Sequence, residues 1–334
     1  MRIAIVKLSA LGDIVHAMVV LQFIKSFDKE ISIDWIVEED YKDLLEFNPD
    51  INKVHLINIK QAKKKKSFLY LLREFKKAQN LLSYDIVIDM QGLLKSAIIS
   101  WIIPSKITLG FDKYSSRESL SSFFYNKTFK YDYDKNIIER NFEIIKFALG
   151  LNVNNRSINN KLPFLISSQT YFFEDLLSIK KNIILVPGAS HKSKCYPARN
   201  LAALSKKIDA NFIIIWGDAK EKKLANEIKS LSPNVIISKK LDIDSLISLI
   251  SKVDLLIGPD TGPTHMAWAL NIPSITLFGS TPGVRNTYIT KINKVIESNT
   301  LVNANRIDKD DLSIKDIKVS DILREALSLI SKKN

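Results

Sequence analysis

Short β-branched runs alternate with helix-patterned segments along this chain, and they do so in two successive series. Ile3–Leu8, Ile33–Val37, Val54–Ile59, Asp85–Asp89 and Ile107–Leu109 read as strands of the first series. Segments between them, such as Val19–Ile24 and Leu69–Phe75, place apolar residues at helical spacing. That alternation predicts a parallel sheet covered by helices on both faces. The rhythm stops at "LGLNVNNRSINNKLPF", Leu149–Phe164, which is rich in Asn and contains Pro163, so it reads as a linker. It restarts with Ile183–Val186, Phe212–Trp216, Val235–Ile237, Asp254–Ile257 and Ser274–Phe278. Ile243, Leu246, Ile247 and Ile250 mark a helix that Asp242 or Asp244 would cap. The fold expected is α/β, with two Rossmann-like, doubly wound parallel-sheet domains facing across a cleft. Their expected limits are 1–155 and 165–315, followed by a C-terminal helix at 316–334 that can pack back on the N-terminal domain. Ligands of such sheets bind at the carboxyl ends of the strands.

Composition narrows the setting. One cysteine, Cys195, rules out an internal disulfide and fits a reducing compartment. The apolar start, Ile3–Val6, is interrupted by Lys7 and Asp13 and is not read as a signal peptide. The apolar run Ala97–Ile103 stops at Pro104, well short of the ~20 residues that a membrane helix needs. A cytoplasmic protein, at most peripheral on a membrane, is therefore expected. The net charge is +13. A compositional bias toward Lys, Asn and Ile would produce it without any binding role, whereas an anionic partner would give it a purpose. The cluster Lys60, Lys63, Lys64, Lys65 and Lys66 is more telling than the total, although such runs are often solvated loops. An amphipathic helix carrying Arg73, Lys76 and Lys77 follows it.

Three strand ends of the second series carry ligand chemistry. In "VDLLIGPDTGPTHMAWAL" a buried strand runs through Gly258 and Pro259 to Asp260, Thr261 and Gly262, with a helix starting near Pro263. The exposed amides of that helix start, with its dipole, suit an anion. Asp260 would repel a phosphate and is better suited to accept from sugar hydroxyls, and His265 lies one turn further on. Equally, Asp260 or Thr261 can simply cap the helix while His265 packs. In "LVPGASHKSKCYP" a strand meets a Gly-containing loop with Ser190, Lys192 and Lys194, groups that suit a diphosphate without forming a P-loop. In "WGDAKE" Gly217 is followed by Glu221, placed for ribose hydroxyls or for a helix's first turn. Convergence of the three favours a nucleotide-sugar pocket. The turn after the first strand, "VKLSALGDIVHAM", has only Gly12 and then Asp13, where a dinucleotide fold would show three glycines. Asp13 can be read as the N-cap of the first helix.

These segments, together with "IDMQGLLKSA" (Ile88–Ala97), "GFDKYSSRE" with "FYN" (Gly110–Asn126) and "IERN" (Ile138–Asn141), resemble glycosyltransferase family 9, the lipopolysaccharide heptosyltransferases, over nearly the whole chain. Within it, "DMQGLLKSA" and "GFD…RE…FYN" resemble the heptosyltransferase I type rather than the second. The resemblance implies a GT-B fold. It also implies inverting transfer of heptose from ADP-L-glycero-β-D-manno-heptose to the 5-hydroxyl of Kdo on Kdo-lipid A, in inner-core assembly at the anionic inner-membrane surface of a Gram-negative bacterium. It further implies Asp13 as the base, aimed across the cleft at the acceptor hydroxyl. Lys194, Ser190, Glu221, Asp260, Thr261, Gly262 and His265 would be donor contacts. Lys60–Lys66 and Arg117 would meet acceptor anions. Ala189, in place of a hydroxyl residue, and Cys195-Tyr196, in place of a His-Trp-like pair, depart from the family pattern.

Competing readings account for less. Another family 9 transferase with a different acceptor, such as a heptosyltransferase II-like enzyme, is the nearest alternative. An NAD-dependent Rossmann oxidoreductase could use Glu38 or Glu39 for ribose but lacks the glycine fingerprint. A GT-A transferase would need an Asp-x-Asp cation site. Asp132-Tyr133-Asp134 and Asp242-Ile243-Asp244 match only the pattern. A nucleic-acid binder would explain the charge but not the strand ends. The four histidines lack ligand spacing, so neither a metal nor another cofactor is expected.

Overall fold

The computed structural model describes residues 1–304 and 308–331. The chain divides into two units, Met1–Phe164 and Leu165–Asn334. The first unit contains β1 (Arg2–Val6), α1 (Leu11–Met18), α2 (Val20–Phe27), β2 (Ser32–Glu38), β3 (Lys53–Ile57), α3 (Ile59–Lys65), α4 (Phe68–Gln79), β4 (Tyr84–Asp89), α5 (Leu94–Ile102), β5 (Ser105–Phe111), β6 (Lys127–Phe129) and α6 (Ile137–Leu149). The second contains β7 (Asn182–Leu185), α7 (Ala198–Ser205), β8 (Asn211–Ile214), α8 (Ala219–Leu231), β9 (Ile236–Ile237), α9 (Ile243–Ile250), β10 (Leu255–Pro259), α10 (Gly262–Ala269), β11 (Ser274–Phe278), α11 (Gly283–Asn286), β12 (Asn293–Glu297) and α12 (Val319–Ile330).

Each unit is built on a six-stranded sheet, ordered β3-β2-β1-β4-β5-β6 in the first and β12-β11-β10-β7-β8-β9 in the second. All pairings are parallel. Counted from the first strand of each unit, both sheets follow the doubly wound order 3-2-1-4-5-6, whose ligand crevice lies where the order reverses. That switch point falls between β1 and β4 in one unit and between β7 and β10 in the other. β10 is buried throughout, as expected of a central parallel strand covered on both faces.

Two strands, β6 and β12, were not expected from the sequence. Both lie at sheet edges and are largely exposed or half-buried, so neither presents an apolar run. The linker belongs to the first unit, which extends to Phe164 rather than ending at 155. Leu162 exchanges backbone hydrogen bonds with the Gln22 amide, and Asn48 Nδ2 donates to Phe164 O at 2.9 Å. The expected C-terminal helix is α12. Residues 332–334 lie outside the described residues. Within its own unit α12 lies against α7, β10, β11 and β12. Ile322, Ala326 and Leu329 join the core there, with Ile183, Leu201 and Leu255.

Helix α4 corrects a second expectation. Leu69 and Leu72 point outward, while Glu74 and Ala78 are buried. The buried carboxylate accepts from Asn58 N at 2.8 Å and pairs with Lys77 at 2.7 Å, so its inward position is compensated. The lysine run is likewise not a loop. Lys60 to Lys65 lie in α3, and Lys66 closes that helix in the left-handed region at φ 48°. No helix among the described residues is long and apolar enough to cross a membrane.

Candidate active site

In the second unit, β10 delivers Asp260 to the switch point at the start of α10. The helix is buried almost all round, which fixes its N-terminus firmly against the sheet. Thr261 occupies the N-cap, and Thr264 Oγ1 accepts from the Thr261 N–H at 3.3 Å. Asp260 itself is therefore not the cap. Its buried carboxylate is ringed by donors from four other segments. Lys194 Nζ lies 2.6 Å from Oδ2 and His265 Nε2 lies 3.0 Å from Oδ1. Thr281 Oγ1 donates to Oδ2 at 3.1 Å and Asn286 Nδ2 at 3.4 Å. Burial alone would raise the Asp260 pKa. The hydrogen bond from His265 and the charge of Lys194 outweigh it and hold the carboxyl well below the usual range.

The loop after β7 brings Lys194 to this carboxylate, bridging the switch point from β7 to β10. Behind the loop, Tyr196 is buried and donates to Ile317 O at 2.7 Å. Ser190 stands exposed on the same loop. Cys195 is half-buried, with Sγ 3.4 Å from His191 O, and burial raises its thiol pKa. Glu221 lies in the first turn of α8, which Asp218 caps by accepting from Lys220 N and Glu221 N. The Glu221 carboxylate accepts from Gly217 N at 2.6 Å. It packs so closely over Gly188 that a Cβ there would meet Glu221 Cγ at 2.3 Å. The glycine at the end of β7 is thus needed for a side chain from the next βα turn to enter.

Thr281 and Asn286 were missed by sequence reasoning. For Thr281 the signal was available, because β11 runs into Gly279, Ser280 and Thr281, the same strand-then-small-residue pattern as the three ends singled out. In Asp242-Ile243-Asp244 both carboxylates are committed to protein donors. Asp242 caps α9 by accepting from Ser245 N at 2.8 Å. Asp244 accepts from Ser168 N at 2.7 Å and from Tyr171 OH at 2.7 Å. Among the described residues, no group of three or more His, Cys, Asp or Glu is arranged to hold a metal ion.

In the first unit the switch point carries Asp13. Ala10, not Asp13, is the N-cap of α1, and Asp13 is the third helical residue. It is exposed, and its Oδ2 accepts from Ala10 N at 3.3 Å. The carboxylate thus supports the helix start from within while keeping a face toward solvent. The preceding turn is braced from β4. Gln91 Oε1 accepts from Leu8 N at 2.7 Å and Ser9 N at 3.3 Å, Lys95 Nζ donates to Ser9 Oγ at 2.9 Å, and Lys7 Nζ donates to Met90 O at 2.9 Å. Asp89, fully buried, shapes the Gln91–Gly92 turn by accepting from both amides and from Tyr125 OH. "DMQG" and "FYN" are thereby one construction.

The other anion-binding candidates are spread out. Arg117 is exposed. Its loop is held by the buried Arg140 of "IERN", which donates to Ser115 O at 2.7 Å. Lys60 is paired with Asp40 at 2.5 Å, whereas Lys63, Lys64, Lys65 and Lys66 are exposed. Glu38 and Glu39, the ribose candidates of the oxidoreductase reading, instead accept from Lys60 N and Asn58 Nδ2.

Residues 72–313 match the family described as glycosyltransferase family 9 (heptosyltransferase). The chain belongs to that family. It is 39% identical to a lipopolysaccharide heptosyltransferase 1 of Campylobacter coli, covering 97% of both chains. A Pseudomonas aeruginosa protein of the same name is 27% identical over 86% of this chain and 81% of its own length. Among solved structures, the Escherichia coli heptosyltransferase WaaC with ADP superposes with a TM-score of 0.78 at 21% identity, covering 98% of this chain and 99% of that one. A family 9 transferase from Veillonella parvula gives 0.81 at 18% identity, covering 99% and 98%. The fold is GT-B, and this family 9 member is a heptosyltransferase acting in lipopolysaccharide inner-core synthesis.

Proposed function

We propose that this family 9 enzyme transfers L-glycero-D-manno-heptose from ADP-L-glycero-β-D-manno-heptose to the 5-hydroxyl of Kdo on Kdo-lipid A, inverting the anomeric centre, at the cytoplasmic face of the inner membrane. The observation that carries the reading is the Lys194 ammonium, held 2.6 Å from buried Asp260 beside the N-terminus of α10. An ammonium has three donors, and the Asp260 contact uses one of them. The remaining donors, together with the Gly262 amide at the start of α10, suit the diphosphate of an ADP-sugar. As the glycosidic bond to ADP breaks, negative charge grows on the departing phosphate, and a preorganised cation there stabilises the transition state. Asp260 holds Lys194 and His265 in place. Ser190 and Glu221 are assigned to the rest of the donor.

Asp13 is the general base. It takes the proton of the attacking hydroxyl as the new bond forms on the face opposite the leaving group. Lys63–Lys66 and Arg117 supply cations for the acceptor's carboxylate and phosphates. Lys60, engaged with Asp40, is the weakest member of that set. No metal is required in this scheme, because Lys194 and the helix amides meet the charge of the leaving group. The test is a mass-spectrometric assay of purified protein with ADP-heptose and Kdo-lipid A. One heptose added to the acceptor with release of ADP supports the reading. Transfer only onto an acceptor already bearing heptose would overturn the acceptor assignment.

A further inference from the structure

Helix α4 turns Phe75 and Ala78 toward the core but leaves a second apolar set outside. Its buried positions are Glu74 and Ala78, while Phe68, Leu69 and Leu72 are 70%, 71% and 43% exposed. Leu69, Leu72, Arg73 and Lys76 stand at i, i+3, i+4 and i+7, so they form one outward stripe, and Phe68 lies four residues before Leu72. Scattered exposed apolar residues are ordinary, but three on adjoining helical positions make a patch that asks for a partner.

The charges around the patch identify that partner. From Ile59 to Gln79 the only acid is Glu74, which faces inward and is paired with Lys77. Lys60 is paired with Asp40. Lys63–Lys66, Arg73 and Lys76 enter no ion pair among the described residues. Helix α3 packs beside α4, so its lysines flank the N-terminal end of the stripe. Aliphatic and aromatic side chains surrounded by cations that meet no acid match an anionic lipid–water interface, with the apolar groups at the acyl boundary and the ammonium groups among the phosphates. A nucleic acid would match the cations but has no use for two leucines.

We infer that the α3–α4 hairpin is a membrane-docking element, in which Phe68, Leu69 and Leu72 enter the interface of an anionic bilayer and the lysines hold its headgroups. The inference rests on the proposed lipid-linked acceptor for why a bilayer is met at all. Its test therefore uses vesicles without acceptor, so that failure to dock and failure to transfer are read separately.

The full chain is sedimented with phosphatidylcholine vesicles, with or without phosphatidylglycerol. Wild-type protein should partition about tenfold or more in favour of the anionic vesicles, and added salt should weaken the partitioning. F68S/L69Q/L72Q should lose about tenfold of that binding. It should keep its melting temperature and its turnover on a water-soluble, deacylated acceptor, because the three side chains face solvent. Wild-type protein that binds neither vesicle, or a triple variant that partitions as well as wild type, overturns the inference. Conversion of a dimer to a monomer by the triple variant on gel filtration, without vesicle binding by wild type, would assign the patch to a second copy of the chain instead.

Discussion

At the switch point of the first sheet the turn after β1 is fastened by a neutral amide, that of Gln91, and leaves the Asp13 carboxylate exposed. At the corresponding place in the second sheet the loop after β7 is fastened by an ion pair, and the carboxylate, Asp260, is buried among four donors. Strand order is the same, so topology alone does not divide the labour. Surroundings do. A carboxylate whose oxygens are filled by its own protein can orient a lysine and a histidine but has little capacity left for a proton. One that spends a single oxygen on a backbone amide can still receive one.

The sharpest way to break this comparison is Asp13→Asn, which preserves size and can still accept from Ala10 N. Turnover should fall by about 10²–10⁴, with melting temperature and ADP-heptose affinity nearly unchanged. Retained turnover would reduce Asp13 to a helix-start residue. Next is Lys194→Ala, expected to lower kcat by about 10²–10³ at saturating donor. Unlike the Asp13 change it should also destabilise the fold by about 3 kcal/mol, since it leaves the buried Asp260 carboxylate without its lysine. The double variant Lys194→Ala with Asp260→Asn should recover much of the melting temperature but none of the turnover. Recovery of both would mean that the ion pair is architectural only.

Replacing Lys63–Lys66 by Gln tests the acceptor side without touching either switch point. The acceptor KM should rise about tenfold and lose its salt dependence, while the donor KM stays put. A change confined to the donor KM would reverse the assignment of units to substrates. The smallest effect on chemistry is expected from Gln91→Ala, which leaves the Leu8 and Ser9 amides without their acceptor. It should cost about 1–3 kcal/mol, read as a lower melting temperature with a modest loss of kcat.

The sequence made the central strands and their carboxyl ends readable because β-branched runs buried on both faces leave no ambiguity, as at Ser274–Phe278. Of the edge strands, β3 and β9 were readable, whereas Lys127–Phe129 and Asn293–Glu297 were not, because polar residues flank their few apolar positions. Apolar spacing located α4 but not its orientation. A buried Glu74 paired with Lys77 looks the same in sequence as an exposed pair. Lys194, Asp260 and His265 could each be singled out from their strand ends. The His265 contact is local, but that Lys194 joins it on one carboxylate depends on a contact across 66 residues of chain, which no local pattern encodes. Asn286 was lost for a simpler reason: at the end of the short helix α11 nothing marks it until the fold brings it to Asp260.

The hydrogen bond from Tyr196 to Ile317, and the burial of Ile314, Ile322, Ala326 and Leu329 in the second core, have a consequence for synthesis on the ribosome. The first unit has all of its strands and helices once residue 164 has emerged, and it can fold while translation continues. The second lacks part of its core, and the support behind the Lys194 loop, until residues 314–329 are out of the exit tunnel. The second unit therefore matures last, after the first is already built, and a nascent chain paused before Ile314 would display a finished first unit while the Lys194 loop still lacks its support.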